Sequence, residues 1–577
     1  MRTALVRPAI VSLLAASLAA PLAAAPDAPD KSKPADTKSR VDAVFAEYDR
    51  SDSPGCALGV FRDGRVAYAR GYGMANLELG IANSPQSVLD IGSTGKQFTA
   101  FSIQLLASEG KLSLDDDIRK WVPEIPDYGK TITIRHLLHH TGGLRDYLEL
   151  FSLQGVEEED LSTREDALAV LALQKAPNFA PGEEHLYSNT GYFLLGEIVR
   201  RASGKSLRDF AAERIFGPLG MRHTQYNDLH TRIIPGRATG YAKADGGGFG
   251  IEMSDWEQVG DGGVQTSVED LQKWDENFFT GTVGGFAVLA AMLEPGVLNS
   301  GKKIQYASAL YVTEYRGLPA IEHGGAWAGY RAQLLRFPKQ HFSVACICNL
   351  AQANPSRLAH RVAEVYLGDL MKKEPDEAAA GNGSGAKKTP AAADASRLQA
   401  LIGSYLDRQN DRFLRLTVED GQLRGRLGSR ALTFVPTAAD RFRVEGISGV
   451  KAEARVEKSG GARPRLAVTL DEDGDVENWS FEPVDAWSPS PADLAALAGR
   501  YTSRELDTTW RLEIVDGKLY VRHRGGPEEP LSPTVADRMT VAGRVLRFTR
   551  DASGKAAGFI VDEGRVRGIA FQRMSGS

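Results

Sequence analysis

Ser93 and Lys96 lie three residues apart in the segment DIGSTGKQFT, which covers Asp90–Thr99. Its Gly-Lys pair also occurs in phosphate-binding loops, but such a loop needs a glycine where Asp90 stands and a hydroxyl where Gln97 stands. Residues at i and i+3 of a helix share one face, with about 5–6 Å between their Cβ atoms. The Lys96 amine can therefore reach the Ser93 hydroxyl, so the spacing favours an activated nucleophile over a nucleotide site.

Two further groups of polar residues could join this pair. Tyr187 and Asn189 precede an apolar helical run, and His323 stands before Gly324 and Gly325 at the head of a strand, where glycines let a ligand approach the backbone. Alone, Tyr187 could be a packed aromatic residue, Asn189 a helix cap and His323 the cap of a strand edge. Together with the serine and the lysine, they predict a site for nucleophilic catalysis if the fold brings them together.

Helical and strand patterns between residues 41 and 372 supply the elements that must position these groups. Apolar residues at helical spacing follow Lys96 and end at Gly110, which predicts a buried helix with a glycine cap. The pair Asp63-Gly64 separates two apolar runs and predicts a β-hairpin. We expect one antiparallel sheet built from both ends of this segment, with a helical region inserted. The predicted strands and closing helix lie at 57–61, 66–70, 333–337, 342–350 and 355–367.

The N-terminus has the charged, apolar and small-residue regions of a secretory signal. The apolar run covers Pro8–Ala25, and a polar leader follows it. We predict a signal peptide at 1–25, with the cleavage position open, and a leader at 26–40. The alternative of a retained anchor is disfavoured because Pro21 interrupts a run that falls short of the roughly 20 apolar residues of a membrane span. We therefore expect a periplasmic or secreted bacterial protein without a transmembrane anchor after cleavage.

The composition is that of a globular protein, with 42% hydrophobic and 25% charged residues. The net charge of −5 provides no basic surface and weighs against nucleic acid as a partner. Three cysteines, Cys56, Cys346 and Cys348, are too few for a disulfide scaffold in 577 residues. The sequence leaves open whether Cys56 forms a disulfide with the predicted strand that contains Cys346 and Cys348.

Three histidines, His136, His139 and His140, share one face of a predicted helix in a pattern that could suggest zinc. No carboxylate or cysteine nearby completes a ligand set, so structural roles are favoured. The sequence predicts no metal and no cofactor.

The C-terminal third differs in character from the rest. Residues 373–395 are rich in Ala, Gly, Pro and Lys without apolar periodicity, which predicts a linker. Beyond them short alternating strands repeat, since the segment at 401–405 returns at 497–501, an offset of 96 residues. We predict two small antiparallel β-barrels at 396–487 and 488–577.

The three motifs resemble those of the penicillin-binding and class C β-lactamase-type serine hydrolases. In that family S-x-x-K, Y-x-N and K-T-G or H-x-G motifs follow one another, as Ser93–Lys96, Tyr187–Asn189 and His323–Gly325 do here. The segments TIRHLLHHTGGL and GDGGVQTSVEDLQKW are also similar to the family, and the barrels resemble those of D-aminopeptidase-like members. The resemblance implies an α/β (α+β) β-lactamase-like catalytic domain over 41–372, with an antiparallel sheet flanked by helices. The two all-β barrel domains follow it.

The resemblance also implies a role for each residue. Ser93 would be the nucleophile and Lys96 its base, which requires lowering a lysine pKa of about 10.4 by roughly 2–3 units. Burial on an apolar helix changes the pKa in that direction. Tyr187 would pass a proton to the leaving group, as a phenolate base or as a relay. The remaining implied roles are a bond from Asn189 to Lys96 and substrate, and an oxyanion hole from the backbone N–H groups of Ser93 and Ala326. His323 would be a catalytic residue that faces the substrate, and Gly324 and Gly325 would bind the substrate.

His323 stands where β-lactamases and D,D-peptidases usually carry a lysine. A neutral imidazole weakens the case for a substrate with a free carboxylate, whereas H-x-G members include D-aminopeptidases and esterases. We expect a serine hydrolase that forms an acyl-enzyme on Ser93 and cleaves a peptide, amide or ester, with a D-aminopeptidase-like peptidase favoured. The alternatives are a β-lactamase or D,D-carboxypeptidase, an esterase, and a non-catalytic binding protein on the same scaffold. The expected partner is a small-molecule or peptide substrate, and the oligomeric state stays open.

Overall fold

The computed structural model describes residues 36–157, 159–372, 395–409, 411–428, 430–447, 451–458, 463–472, 475–524 and 529–575. The predicted signal peptide at 1–25 and all but the last residue of the predicted linker at 373–395 lie outside these residues. The first helix begins at Thr37, inside the segment predicted as leader.

The helices follow local sequence signals closely. The helix after Ser93 buries Phe98 and Phe101 and ends just before Gly110, whose φ of +69° is the left-handed conformation expected of a helix-ending glycine. The last helix of the predicted catalytic domain at 41–372, called the catalytic segment below, has its predicted bounds and is capped by Asn354. The helices are α1 (Thr37–Val44), α2 (Lys96–Ser108), α3 (Ile134–Leu138), α4 (Tyr147–Gln154), α5 (Arg164–Ala172), α6 (Asn189–Ser203), α7 (Leu207–Ala211), α8 (Gly217–Leu219), α9 (Val268–Thr280), α10 (Gly285–Met292), α11 (Pro355–Leu367), α12 (Ala395–Leu401) and α13 (Pro491–Leu497).

The strands of the catalytic segment are β1 (Cys56–Arg62), β2 (Arg65–Tyr72), β3 (Met74–Asn76), β4 (Ile81–Ala82), β5 (Leu89–Asp90), β6 (Gln225–Tyr226), β7 (Tyr241–Lys243), β8 (Phe249–Ile251), β9 (Val264–Thr266), β10 (Tyr311–Tyr315), β11 (Leu318–Trp327), β12 (Tyr330–Phe337) and β13 (Phe342–Cys348). Six of them form one antiparallel sheet in the order β10-β11-β12-β13-β1-β2. Because β1 pairs with β13, both ends of the segment meet in mid-sheet, as predicted. This register places Cys56 opposite Cys348, and the two form a disulfide that leaves Cys346 free.

Helices cover both faces of the sheet. On one face, Val44 of α1 and Val362 of α11 pack with Leu58 and Val344 in one apolar core. On the other face, α9 lies against β1 and β13, and a larger core continues through α2 and α6 into the inserted helical region. The sheet therefore supplies a rigid wall beside α2, the helix that follows Ser93.

The C-terminal third forms two all-β units. The first is a closed eight-stranded barrel, and the second is a nine-stranded sheet. Within the described residues its end strands do not pair, so the second unit is an open barrel. The strands are β14 (Gly403–Asp407), β15 (Arg412–Glu419), β16 (Gln422–Leu427), β17 (Arg430–Ala438), β18 (Arg441–Glu445), β19 (Lys451–Glu457), β20 (Arg465–Glu472), β21 (Asp475–Val484), β22 (Gly499–Ser503), β23 (Thr508–Val515), β24 (Lys518–Arg522), β25 (Glu529–Pro530), β26 (Ser532–Pro533), β27 (Arg538–Val541), β28 (Arg544–Arg550), β29 (Ala556–Glu563) and β30 (Val566–Arg573).

The sequence repeat has a structural counterpart. The Tyr405 hydroxyl donates to the Leu401 carbonyl at 3.0 Å, and 96 residues later Tyr501 donates to Leu497 at 2.6 Å. In each copy a helix thereby packs onto the first strand of its β unit.

The open barrel docks onto the catalytic segment through α4. Arg145 forms a buried ion pair with Glu505, and the Trp510 indole donates to the Leu153 carbonyl at 3.0 Å. Gly155 ends α4 so close to the barrel that a Cβ atom there would lie 1.5 Å from the Arg524 carbonyl oxygen. Within the described residues, no helix has both the length and the apolar character required to cross a bilayer.

Candidate active site

Ser93 lies on a short 3₁₀ turn, Gly92–Gly95, that leads into α2. Its side chain is partly exposed at the floor of a cleft of about 870 Å³. The predicted residues Tyr187, Asn189, His323 and Ala326 line the same cleft. The structure therefore brings the three sequence motifs together.

Lys96 is fully buried behind the serine. Its Nζ atom donates to Ser93 Oγ at 2.9 Å, to Asn189 Oδ1 at 2.8 Å and to the backbone carbonyl of Asp261. Burial lowers the pKa of Lys96 to about 7, while the nearby carboxylates of Asp261 and Asp146 oppose the change. A lysine with this pKa can lose its proton near neutrality and then accept the serine proton.

Asn189 is held by its own contacts at the start of α6. Its backbone N–H and its Nδ2 donate to Asp146 Oδ2 at 2.6 and 3.1 Å. This fixes the amide so that its oxygen points at Lys96. Asp261, next to the lysine, accepts a hydrogen bond from the Tyr147 hydroxyl at 3.0 Å.

Tyr187 completes the group around the nucleophile. Its ring centroid lies 5.0 Å from Lys96 Nζ, and its ring packs against that of His140 at 4.1 Å. The hydroxyl is buried and makes no hydrogen bond of normal geometry among the described residues. Burial raises the pKa of Tyr187 well above its usual range, opposed by the nearby Ser93 hydroxyl. The phenol therefore retains its proton under conditions in which Lys96 can lose one.

His323 lines the cleft but is bonded within the protein through both ring nitrogens. Its Nδ1 donates to the Gly324 carbonyl at 2.6 Å, so its Nε2 accepts from the Tyr306 hydroxyl at 3.1 Å. Burial and the charge of Lys96 lower the pKa of His323 to about 3, so the ring is neutral at physiological pH. Its contacts hold strand β11 in place and offer no fixed charge to a substrate.

The glycines beside His323 let β11 approach the nucleophile. A Cβ atom on Gly325 would lie 1.9 Å from the Ile91 carbonyl oxygen, and one on Gly92 would lie 2.7 Å from the Ala326 nitrogen. Gly92 also has a φ of +49°. The backbones of Ser93 and Ala326 are thus neighbours, as an oxyanion hole requires.

The three histidines near α3 have structural contacts. The expectation that they share one helix face is wrong, because α3 ends at Leu138 and His140 has a φ of +55°. His136 Nδ1 accepts from the Thr133 amide within the capping box of α3, and His140 Nδ1 accepts from the Ser188 amide.

Arg565 reaches the cleft from the open barrel and had no signal in the sequence. It follows Gly564 in the β29–β30 turn, and its backbone N–H and Nε both donate to Glu149, the latter at 3.0 Å. Its guanidinium lies 5.8 Å from the Tyr187 ring centroid and 3.6 Å from Asp146 Oδ2. The barrel domain therefore contributes a side chain to the wall of the site.

Comparison with known proteins gives a consistent result. Residues 41–367 match the family model described as Beta-lactamase. A D-aminopeptidase of Cereibacter sphaeroides is 30% identical over 496 residues, covering 85% of this chain and 88% of that protein. Penicillin-binding protein 4* of Bacillus subtilis is 28% identical over 434 residues, covering 72% of this chain and 92% of its own length.

Among solved structures, the octameric penicillin-binding protein homologue from Pyrococcus abyssi superposes with a TM-score of 0.54 at 24% identity. It covers 77% of this chain and 98% of its own length. This likeness confirms the predicted fold class.

Proposed function

The chain belongs to the beta-lactamase family and is a serine hydrolase of peptides or amides, and we propose that it acts as a D-aminopeptidase-like peptidase through an acyl-enzyme on Ser93. The observation that carries the assignment of the nucleophile is the contact of 2.9 Å between Lys96 Nζ and Ser93 Oγ. The contacts of the lysine with Asn189 and Asp261 hold it in this position.

The proposed reaction begins when neutral Lys96 takes the Ser93 proton and the serine oxygen attacks the substrate carbonyl. The backbone N–H groups of Ser93 and Ala326 stabilise the oxyanion, and Tyr187 delivers a proton to the leaving nitrogen as that bond breaks. The high pKa of Tyr187 favours its part as a proton relay over that of a phenolate base. Water then attacks the acyl-enzyme and regenerates Ser93.

The substrate class rests on two observations. The C. sphaeroides relative that is 30% identical over most of both chains is named D-aminopeptidase. His323 is neutral where a β-lactamase or D,D-peptidase usually carries a lysine. We therefore place peptides and amides of D-amino acids ahead of β-lactams and simple esters.

We also propose export from the bacterial cytoplasm. The apolar run at 8–25 supports a secretory signal. The Cys56–Cys348 disulfide supports it independently, because such bonds persist mainly in oxidising compartments.

The test is a substrate panel with the purified chain and its Ser93→Ala variant. D-alanine amide, L-alanine amide, a p-nitrophenyl ester and nitrocefin are compared by kcat/KM. The proposal expects the D-amide to be cleaved faster than the L-amide and nitrocefin, with loss of activity in Ser93→Ala. Faster turnover of nitrocefin, abolished in the same variant, would instead identify a β-lactamase, and turnover of the ester without cleavage of either amide would identify an esterase.

A further inference from the structure

We propose that Arg565 of the open barrel recognises a carboxylate on the leaving-group side of the substrate. This inference rests on the proposed function and specifies its substrate class as short peptides with a free C-terminal carboxylate. A barrel residue thereby provides the fixed positive charge that the His323 motif lacks.

The first support is the position of the guanidinium. It lies 5.8 Å from the ring centroid of Tyr187, the residue proposed to protonate the leaving nitrogen, and Arg565 lines the cleft that holds Ser93. In a dipeptide the carboxylate carbon is two bonds, about 2.5 Å, from that nitrogen. A cation beside the proton donor is therefore within reach of the leaving carboxylate.

The second support is the donor set that remains available. Arg565 bonds Glu149 through Nε and its backbone N–H, and its Nη1 forms an ion pair with Asp146 Oδ2 at 3.6 Å. Among the described residues, Nη2 makes no hydrogen bond or ion pair, and the side chain is 29% exposed, so Nη2 can donate to a carboxylate in the cleft. The contacts to Glu149 and Asp146 orient the guanidinium and leave Nη2 available.

The third support is the electrostatic balance around the cleft. Burial raises the pKa of Glu149 to about 7, with Arg565 opposing, so this carboxyl is only partly ionised near neutrality. Asp146 is shared among several donors, because it accepts from Asn189 and from the Leu148 amide. Arg565 therefore keeps positive charge toward the cleft.

The reaction balances without a further reactant. The Ser93 oxygen bonds the acyl carbon, the C–N bond breaks, and the proton from the serine passes to the leaving nitrogen. The product that departs first is an amino acid with its carboxylate intact, and water then hydrolyses the ester on Ser93.

The test compares D-alanyl-L-alanine with D-alanyl-L-alaninamide, which differ only in the terminal carboxylate. We expect the wild type to prefer the acid, and we expect Arg565→Gln to lower the ratio of the two kcat/KM values by about tenfold to a hundredfold. Arg565→Lys should restore part of that ratio. Arg567→Gln is the matched control, because Arg567 leaves the same hairpin toward exposed Glu184 and should not change the ratio.

Several results would overturn the inference. If Arg565→Gln and Arg565→Lys fold, as judged by thermal unfolding, and lower kcat/KM equally for both peptides, then Arg565 only positions Asp146 and Asn189. Arg237 also lines the cleft. If the preference for the acid is absent, or is lost in Arg237→Gln instead, the carboxylate binds elsewhere. Failure of the wild type to cleave either peptide would contradict the proposed function as well, whereas cleavage with an unchanged ratio contradicts this inference alone.

Discussion

Lys96 Nζ lies 2.9 Å from Ser93 Oγ while its side chain has no contact with solvent. Burial makes the neutral amine accessible near pH 7, and the 3₁₀ turn that leads into α2 brings the two residues together. A buried amine at hydrogen-bond distance from a serine is the arrangement that nucleophilic catalysis requires.

The dependence of kcat/KM on pH, on the acid side of its maximum, should reflect the ionisation of Lys96. Since the neutral amine is the active form, kcat/KM should rise with pH through about 7. The Asp261 carboxylate stabilises the ammonium form, so Asp261→Asn should lower the lysine pKa and move the acid limb to lower pH. Asp245 is exposed, so Asp245→Asn is the control and should leave the pH profile of kcat/KM unchanged. A shift of the limb to higher pH in Asp261→Asn would show that another group controls it.

The approach of β11 to the nucleophile should depend on Gly325. A Cβ atom there would clash with the Ile91 carbonyl at 1.9 Å and displace the Ala326 backbone from Ser93. Gly325→Ala should lower kcat by about 10²–10³, the typical cost of losing one oxyanion donor. Gly246→Ala is the control, because a Cβ atom at Gly246 meets open space. Near wild-type kcat in folded Gly325→Ala would exclude this oxyanion hole.

Docking of the open barrel should depend on the pair of Arg145 and Glu505. Both side chains are 4–5% exposed, and removing one partner of such a pair typically costs 3–5 kcal/mol. Glu505→Ala should lower the temperature of thermal unfolding and expose Trp510, seen as a red shift of its fluorescence. Glu184→Ala breaks a pair that is 45–48% exposed and should cost less than about 1 kcal/mol. Equal effects of the two variants would contradict this docking.

The number of reactive thiols should show whether Cys56 and Cys348 form a disulfide. Denatured protein without reductant should show one reactive thiol, from Cys346, and three after reduction. Burial raises the pKa of Cys346 and should keep it unreactive in the native state. Replacing Cys56 and Cys348 by serine should lower stability by about 2–5 kcal/mol. Three thiols without reductant would exclude the bridge.

Much of the fold and of the site could be predicted because the signals are local. Asp63-Gly64 specified the first hairpin, and Asn354-Pro355 marked the start of α11. Ser93 and Lys96 are joined by one turn of chain, so their spacing already implied contact. The sequence repeat likewise implied two copies of a β unit.

The remaining features depend on contacts between distant segments. Cys56 had two possible partners until the register of β1 with β13 selected Cys348. Arg565 lies more than 400 positions from Glu149 and Asp146, in a turn of ordinary composition. The internal bonding of His323 depends on Tyr306, which no motif includes.

The open seam of the second β unit was also beyond sequence patterns. Its two end strands, β25 and β26, are separated only by Leu531, so they cannot pair with each other, and instead they pair with β24 and β27 at the two edges of the sheet. The repeat alone could not distinguish this unit from the closed barrel.

The most direct test of the central claim is to trap the covalent intermediate. Protein quenched with acid during turnover of D-alanine p-nitroanilide is analysed by intact mass and then by peptide mapping. The account predicts one alanyl adduct on the peptide that contains Ser93, absent in Ser93→Ala and strongly reduced in Lys96→Met. An adduct on another residue, or one that persists in Ser93→Ala, would contradict it.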